Sequence, residues 1–172
     1  IQAIQALADQ LHSGWTGVVG ITLHVNPSRG NVLFTGPSHT LWGRSTLADR
    51  FGSTRVQLKG QSFLQANRNQ ATRLYAHVVD HALFPHAEKK GKTNDRAPIV
   101  WDLFCGTGAL SLTLADRGAT VLGIEQDETS VALARAAAVR AAVDDRCRFE
   151  TADANTALCP LCAPSNRNAK RA

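Results

Sequence analysis

The chain has 172 residues, of which 44% are hydrophobic and 19% are charged, a composition typical of a globular domain rather than a disordered segment. No stretch approaches the ~18 uninterrupted apolar residues of a membrane span, and no secretory signal pattern is found. Four cysteines are too few for a disulfide scaffold. We therefore expect an intracellular, monomeric protein without a membrane partner.

The net charge of +5 is distributed unevenly along the chain. Residues 101–157 carry nine acidic and five basic side chains, whereas the segments on either side are net basic. Basic surfaces attract the phosphate backbone of nucleic acids. A solvated basic surface without a partner explains the charge equally well, so the charge alone leaves both interpretations open.

Residues 1–62 are predicted to form a small antiparallel β region behind an N-terminal helix. Apolar residues recur at steps of three and four from Ile1 to Leu11, which is typical of a short amphipathic helix. Four short strands are predicted after it, the first two joined by a Pro- and Gly-containing turn into a hairpin: 18–25, 31–35, 40–43 and 55–59.

Between residues 71 and 82 the apolar residues follow the spacing of a helix, whereas the segments before them are predicted as strands. These apolar residues recur at i, i+3, i+4, i+7, i+8 and i+11, which predicts one helix of about four turns. Asn67 or Asn69 is expected to cap the start of this helix, and Pro85 to end it. The polar segment 86–97 is predicted to be a loop.

From residue 99 onward, strands and helices alternate. Apolar and β-branched runs predict three strands, at 99–104, 120–124 and 147–151. Two helices are predicted between them, at 109–117 and from a cap at Asp127, Thr129 or Ser130 to about residue 143. This βαβαβ order predicts an α/β fold with a parallel sheet and right-handed crossovers. We divide the chain into three segments: 1–62, 63–157 and a basic polar tail at 158–172.

A glycine turn, Asp-Leu-Phe-Cys-Gly-Thr-Gly from Asp102 to Gly108, joins the first of these strands to the next helix. Glycines in such a turn let the backbone approach a ligand, and the helix directs its free N–H groups toward it. Glu125, at the end of the following strand, is placed to accept hydrogen bonds from ribose hydroxyls. Because Asp102 at a buried strand end needs a partner, we prefer a nucleoside-binding turn over a purely structural one.

Two features of the turn distinguish between nucleoside cofactors. The third glycine of a dinucleotide fingerprint is absent, because Ser111 stands in its place. The carboxylate of Asp102 would repel a pyrophosphate, whereas it suits a cationic ligand that combines a sulfonium with an α-amino group. The turn therefore points to S-adenosylmethionine as the cofactor.

Residues 102–111, Asp-Leu-Phe-Cys-Gly-Thr-Gly-Ala-Leu-Ser, resemble motif I of class I methyltransferases in the form used by RNA uracil-C5 methyltransferases. Residues 61–67, Gln-Ser-Phe-Leu-Gln-Ala-Asn, resemble the Phe-x-Gln-x-Asn signature of that family. The resemblance covers residues 16–155. It implies a Rossmann-like class I fold, in which the first strand is central and is flanked by later strands. Since those strands are not found in this sequence, the outer edge of the first strand is expected to be exposed and apolar. The resemblance also implies S-adenosylmethionine as methyl donor and formation of 5-methyluridine in tRNA or rRNA.

The resemblance further implies roles for individual residues. Gln65 is expected to contact the cofactor, and Phe104 to line its site. Glu125 is expected to hold the ribose, and Asp153 to lie near the adenine. Together with the turn, the expected cofactor-binding residues are Gln65, Asp102, Phe104, Gly106, Gly108, Glu125 and Asp153.

The catalytic half of the family's site is not found in this sequence. The family uses a cysteine in a Ser-Cys-Asn-Pro context that adds to C6 of uracil, and a base that removes the C5 proton. Neither Ser-Cys-Asn-Pro nor the family's Asp-Pro-Pro/Ala-Arg motif occurs here. Of the cysteines present, Cys105 lies in the turn, where its position suits packing rather than attack, and Cys147 is expected in the core.

The chain starts at Ile1 and contains no methionine, so we expect a piece of a longer protein with its nucleophile and base beyond residue 172. Such a piece is expected to be inactive by itself. Two other interpretations remain open. A degenerate relative would bind RNA or a nucleoside without catalysis, and a Rossmann oxidoreductase would bind NAD in the same turn.

No metal site is expected. Cys159 and Cys162 have metal-ligand spacing, but one such pair cannot complete a tetrahedral site. His77 and His81 lie four residues apart on the predicted helix, without a third ligand nearby in the sequence. We expect two free thiols in the first case and two exposed histidines in the second.

Overall fold

The computed structural model describes residues 2–30, 36–51, 53–83 and 97–157. Its elements follow in this order: α1 (Gln2–Gly14), β1 (Gly20–His24), β2 (Ser38–Gly43), β3 (Leu47–Phe51), β4 (Thr54–Leu58), α2 (Arg68–Leu83), β5 (Ile99–Leu103), α3 (Ala109–Asp116), β6 (Thr120–Glu125), α4 (Glu128–Ala141) and β7 (Cys147–Thr151). The chain divides into two compact units, Ile1–Asp49 with Gln57–Phe63 and Arg50–Val56 with Leu64–Ala172. The domain boundary expected at residue 62 stays a prediction.

In the first unit, β1 and β2 form a two-stranded antiparallel sheet. The register pairs Gly20 with Gly43 at one end and His24 with Ser38 at the other. The predicted returning strand at 31–35 lies outside the described residues, and the described partner of β1 is the next strand along the chain. The antiparallel β structure predicted for this part of the chain is therefore present.

Helix α1 contacts β2 through polar and small side chains. The His12 ring stacks on the Trp42 ring with centroids 4.5 Å apart, Gln5 Nε2 donates to a carbonyl oxygen of β2, and Ala8 is buried. The helix lies where its periodicity predicted it. The members of the predicted apolar stripe that can be described are nevertheless exposed: Ile4, Leu7 and Leu11. The buried face of this helix was therefore predicted wrongly.

Strands β3 and β4 pair with each other, and only β4 was predicted from the sequence. The tip of this strand pair, Arg50–Val56, belongs to the second unit. There the Thr54 hydroxyl lies 3.1 Å from the Thr113 hydroxyl of α3, and the Phe51 ring lies 5.5 Å from the ring of Tyr75 on α2. These contacts attach the tip to both helices.

The second unit is built on a three-stranded sheet in the order β5-β6-β7. Both strand pairs are parallel, with Ile99 opposite Thr120 and Val121 opposite Cys147. This arrangement confirms the predicted Rossmann-like α/β fold. Helices α3 and α4 connect these parallel strands and contact each other. Right-handed crossovers, the general rule for such connections, would place both helices on one face of the sheet. The largest fully buried side chains of this layer are Leu112, Leu114, Val121 and Val131.

Strand β5 forms one edge of the described sheet, as the resemblance implied. Its outward face carries Ile99 and Trp101, both exposed. Native edge strands are commonly protected by charged side chains or by a covering element, so an exposed apolar edge is prone to aggregation. Among the described strands, only β6 pairs with β5.

The starts of two helices resolve alternatives that the sequence left open. The Asn67 side chain accepts a hydrogen bond from a backbone N–H in the first turn of α2, at 3.1 Å. The Asp127 carboxylate accepts from the backbone N–H of Ser130 in α4, at 2.8 Å. Asn67 and Asp127 are therefore the N-caps. Pro85 and all but the last residue of the predicted loop at 86–97 lie outside the described residues.

We predict that Gly123→Ala lowers the free energy of unfolding by about 1–3 kcal/mol, because it overpacks the space between β6 and β7. A Cβ at this position would lie 2.5 Å from the Phe149 ring and 2.9 Å from Cys105 Sγ. Urea unfolding followed by circular dichroism measures the change. Gly60→Ala is the control, since a Cβ there meets no atom within 4 Å. Equal destabilisation by both variants would contradict the close packing around Gly123.

Candidate functional site

The carboxyl ends of the three parallel strands lie at one edge of the sheet, which is where ligands bind in open α/β folds. Asp102 lies near the end of β5, and the glycine turn follows it. Glu125 ends β6, and Asp153 comes shortly after the end of β7. The structure thus places three of the predicted acidic residues along one edge.

The two glycines of the turn have different surroundings. Both adopt positive φ, 55° at Gly106 and 81° at Gly108, a conformation that favours glycine. A Cβ at Gly106 would meet no atom within 4 Å, whereas one at Gly108 would lie 3.0 Å from the Phe149 ring. Gly106 therefore leaves open space for a ligand. Gly108 allows α3 to pack closely, and a cofactor contact at Gly108 stays a prediction.

Phe104 is the unusual residue of the turn. Its φ of 61° places a bulky side chain in the left-handed region, and its side chain is 65% exposed. Such a conformation costs of the order of 1–3 kcal/mol and occurs mainly at functional sites, where the surrounding structure imposes it. The backbone N–H of the next residue, Cys105, holds the turn by donating to the Ile124 carbonyl at 3.1 Å. An aromatic face is thereby presented at the edge of the sheet.

The carboxylate of Glu125 is oriented by the backbone on both sides. Its Oε2 accepts a hydrogen bond from the Gly106 N–H at 3.1 Å, and its Oε1 accepts from the Asp127 N–H at 3.0 Å. Each carboxylate oxygen has further acceptor capacity. Since the residue is only partly buried, this capacity is available to two neighbouring hydroxyl groups of a ligand. The structure brings Glu125 and Gly106, two of the expected cofactor-binding residues, into contact with each other, and their contacts with a cofactor stay predictions.

Asp102 has a partner that sequence reasoning missed. The hydroxyl of Ser111, on the first turn of α3, donates to the Asp102 carboxylate at 2.5 Å. Burial raises the pKa of Asp102, and the side-chain and backbone hydrogen bonds of Ser111 counteract that shift. The sequence had drawn attention to Ser111 for another reason, because it stands where a dinucleotide fingerprint has its third glycine. Its spacing of nine residues from Asp102 did not reveal the contact.

No cationic side chain pairs with Asp102 within the described ranges. The groups coupled to its charge are a phenol and two thiols, on Tyr75, Cys105 and Cys147. A partly buried carboxylate without a counter-charge is unfavourable unless hydrogen bonds or a bound cation compensate it. The site is therefore electrostatically suited to a positively charged ligand.

The two described thiols are poor nucleophiles. Burial, with the negative charge of Asp102 as the next cause, raises the pKa of both Cys105 and Cys147 to about 12. Only the thiolate attacks carbon or binds a metal, so both groups are inert near neutral pH. Cys147 is buried on β7, in agreement with its predicted place in the core.

Gln65 and Asp153 are exposed, and their proposed contacts with a cofactor stay predictions. The Asp153 carboxylate accepts from the Asn155 N–H at 2.9 Å and begins a short helical turn. Phe63 is 81% exposed, so plain core packing does not explain its place in the Phe-x-Gln-x-Asn segment.

The possible metal ligands do not assemble into a site in the parts of the chain described. His77 and His81 are exposed, and their rings lie 4.1 Å apart on α2. No group of three or more His, Cys, Asp or Glu side chains is arranged to hold an ion there. Cys159 and Cys162 lie outside the described residues. Likewise, the described helices include none with the length and apolarity needed to cross a membrane.

Comparison with known proteins identifies a matching domain family and similar sequences. Residues 100–164 match the family described as "Methyltransferase domain". An uncharacterized RNA methyltransferase of Parasynechococcus marenigrum is 34% identical over 89% of the chain and 31% of its own length. One of Clostridium acetobutylicum is 33% identical over 63% of the chain and 22% of its length. The chain thus spans less than a third of either relative.

Solved structures show the same fold. The tRNA (uracil-54, C5)-methyltransferase of Pyrococcus abyssi, in complex with S-adenosyl-L-homocysteine, superposes with a TM-score of 0.63 at 25% identity, over 82% of this chain and 32% of that one. A SAM-dependent methyltransferase of Agrobacterium tumefaciens, 18% identical, has a TM-score of 0.54 over 85% of this chain and 43% of that one. With this fold and these relatives, the chain contains a methyltransferase domain and is similar to part of proteins named RNA methyltransferases.

Proposed function

We propose that the chain is the cofactor-binding part of an S-adenosylmethionine-dependent enzyme that forms 5-methyluridine in tRNA or rRNA. The observation that carries the proposal is the partly buried Asp102 carboxylate, which lacks a cationic partner among the described residues and lies beside a turn with open space at Gly106. A ligand that is both cationic and a nucleoside fits this combination. S-adenosylmethionine has both properties.

The described residues fit the parts of this cofactor. The Asp102 carboxylate would attract its cationic end, and the oriented carboxylate of Glu125 would accept hydrogen bonds from both ribose hydroxyls. Phe104 would cover the ligand with its exposed ring. Gln65 and Asp153 are proposed to contact the cofactor and the adenine, respectively.

When bound, the cofactor supplies an electrophilic methyl group on a positively charged sulfur. The residues of this chain bind and orient that group rather than react with it. The open space at Gly106 lets the backbone approach the ligand. The Gly106 N–H is engaged by Glu125, which keeps the carboxylate in place before the ligand arrives. Positioning of this kind lowers the entropy lost on binding.

Three observations support RNA as substrate and uracil C5 as the target. The relatives carry the name RNA methyltransferase, and a solved neighbour at 25% identity acts on uracil-54 of tRNA by its title. The Phe-x-Gln-x-Asn segment precedes motif I with one helix between them, and both segments resemble those of the uracil-C5 enzymes. The basic segments that flank residues 101–157 suit a phosphate backbone.

A non-catalytic binding module is the second candidate. It is favoured by the raised pKa of the Cys105 and Cys147 thiols, which makes both of them poor nucleophiles. An oxidoreductase is disfavoured, because Asp102 would repel the pyrophosphate of NAD and Ser111 fills the third glycine position.

We predict that Glu125→Ala weakens S-adenosylmethionine binding about ten- to hundredfold, because two hydrogen bonds to a charged acceptor are lost, at about 1.5–3 kcal/mol. Isothermal titration calorimetry measures the dissociation constant. Glu128→Ala is the matched control, since Glu128 is an exposed carboxylate only three residues away. The ribose assignment is wrong if both variants lose affinity equally.

This chain alone is expected not to methylate RNA. C5 of uracil is a poor nucleophile until a thiolate adds to C6, and the described thiols are protonated near neutral pH. We expect only background transfer of tritium from labelled S-adenosylmethionine to a stem–loop RNA that contains uridine.

Cys105→Ala serves as the comparison in the same assay. Robust turnover by the unaltered chain would contradict the assignment of catalysis to a residue outside it. Loss of that turnover in Cys105→Ala would identify Cys105 as the nucleophile.

A further inference from the structure

Ser111 connects two elements at the base of the glycine turn. It lies in α3, it is 0% exposed, and its hydroxyl donates to the Asp102 carboxylate of β5 at 2.5 Å. Its backbone carbonyl faces the Cys147 thiol of β7 at 3.5 Å. A buried hydroxyl with one charged acceptor has a fixed orientation, and it fixes the acceptor in turn.

The remaining neighbours of Asp102 do not stabilise its negative charge. Tyr75 of α2, Cys105 of the turn and Cys147 of β7 all have a pKa raised in part by that charge. Glu125, at the end of β6, adds a second negative charge that further raises the pKa of Cys105. Ser111 is therefore the described residue whose hydrogen bonds favour the ionised form of Asp102.

We propose that Ser111 is a positioning residue that keeps the Asp102 carboxylate charged and oriented, and that this pair makes the site select nucleoside derivatives that carry a positively charged group over those that carry none. The inference rests on the proposed function, because it concerns the same cofactor site. It adds the residue that controls the charge of Asp102 and the property of the ligand that the pair recognises.

The direction of the effect of pH follows from the hydrogen bond. Without the Ser111 hydroxyl, burial of Asp102 is less compensated, and the pKa of the carboxyl rises further. The carboxyl then takes up a proton at a higher pH than in the unaltered protein. A neutral carboxyl does not attract a cation, so affinity for a cationic ligand is lost earlier as the pH falls. Affinity for a neutral ligand does not change.

Two ligands separate the contribution of the charged group to the affinity from that of the nucleoside. S-adenosylhomocysteine carries a positively charged α-amino group next to a carboxylate, whereas 5′-methylthioadenosine shares its adenosine and sulfur but has neither charged group. Calorimetric titrations of both ligands from pH 5 to pH 8 are compared for the unaltered chain, Ser111→Ala and Ser111→Thr. Asp102→Asn, which removes the charge at every pH, completes the set.

For Ser111→Ala we expect the affinity for S-adenosylhomocysteine to fall at a higher pH than in the unaltered protein, with about a tenfold loss in the interval between the two transitions. Ser111→Thr should show the same dependence of this affinity on pH as the unaltered protein. In Asp102→Asn the affinity should not depend on pH in this range. The affinity for 5′-methylthioadenosine should be the same in all four proteins.

Two results would overturn the inference while leaving the proposed function intact. One is an equal loss of affinity for both ligands in Ser111→Ala, which would show that the serine only supports the fold. The other is an unchanged pH profile of S-adenosylhomocysteine binding. If the unaltered chain bound neither ligand, the proposed function would be contradicted, and this inference with it.

Discussion

A carboxylate without a cationic partner among the described residues is the constraint around which the second unit is arranged. Asp102 is held at the end of β5 by the buried hydroxyl of Ser111, and its charge adds to burial in keeping two neighbouring thiols protonated. A bound cation is the partner that such a group lacks. The same electrostatics make the site unsuitable for a pyrophosphate and make the local cysteines unsuitable as nucleophiles. The carboxylate of Asp102 thus favours a cationic cofactor and also helps to keep the Cys105 thiol protonated.

The packing around the turn depends on small residues that bring α3 and β7 close to it. Gly123 and Gly108 both face the Phe149 ring, so neither position has room for a side chain. This close approach places Ser111 within reach of β5. Gly106, by contrast, faces open space, and its N–H fixes the Glu125 carboxylate. The turn is therefore packed against the Phe149 ring at Gly108 and faces open space at Gly106.

Much of the second unit could be predicted from the sequence, because periodicity and turn residues act locally. The strands at 99–104 and 120–124 and the turn between them follow from such signals. Other features depend on contacts between distant residues. The hydrogen bond of Ser111 joins residues nine positions apart, and local sequence patterns do not reveal such a contact. Strand β3 was not predicted because it is short and has only two large apolar side chains, Leu47 and Phe51. The stripe of α1 predicted the helix, but stacking of His12 on Trp42 decides which face meets the sheet.

The central claim is that the turn binds an S-adenosylmethionine-type nucleoside rather than a dinucleotide. Calorimetric titration of the chain with S-adenosylhomocysteine and, in parallel, with NAD tests it most directly. We predict one binding site for S-adenosylhomocysteine and no detectable heat of binding for NAD. Binding of NAD with equal or higher affinity would contradict the account, because a pyrophosphate would then be tolerated beside the charged carboxylate of Asp102.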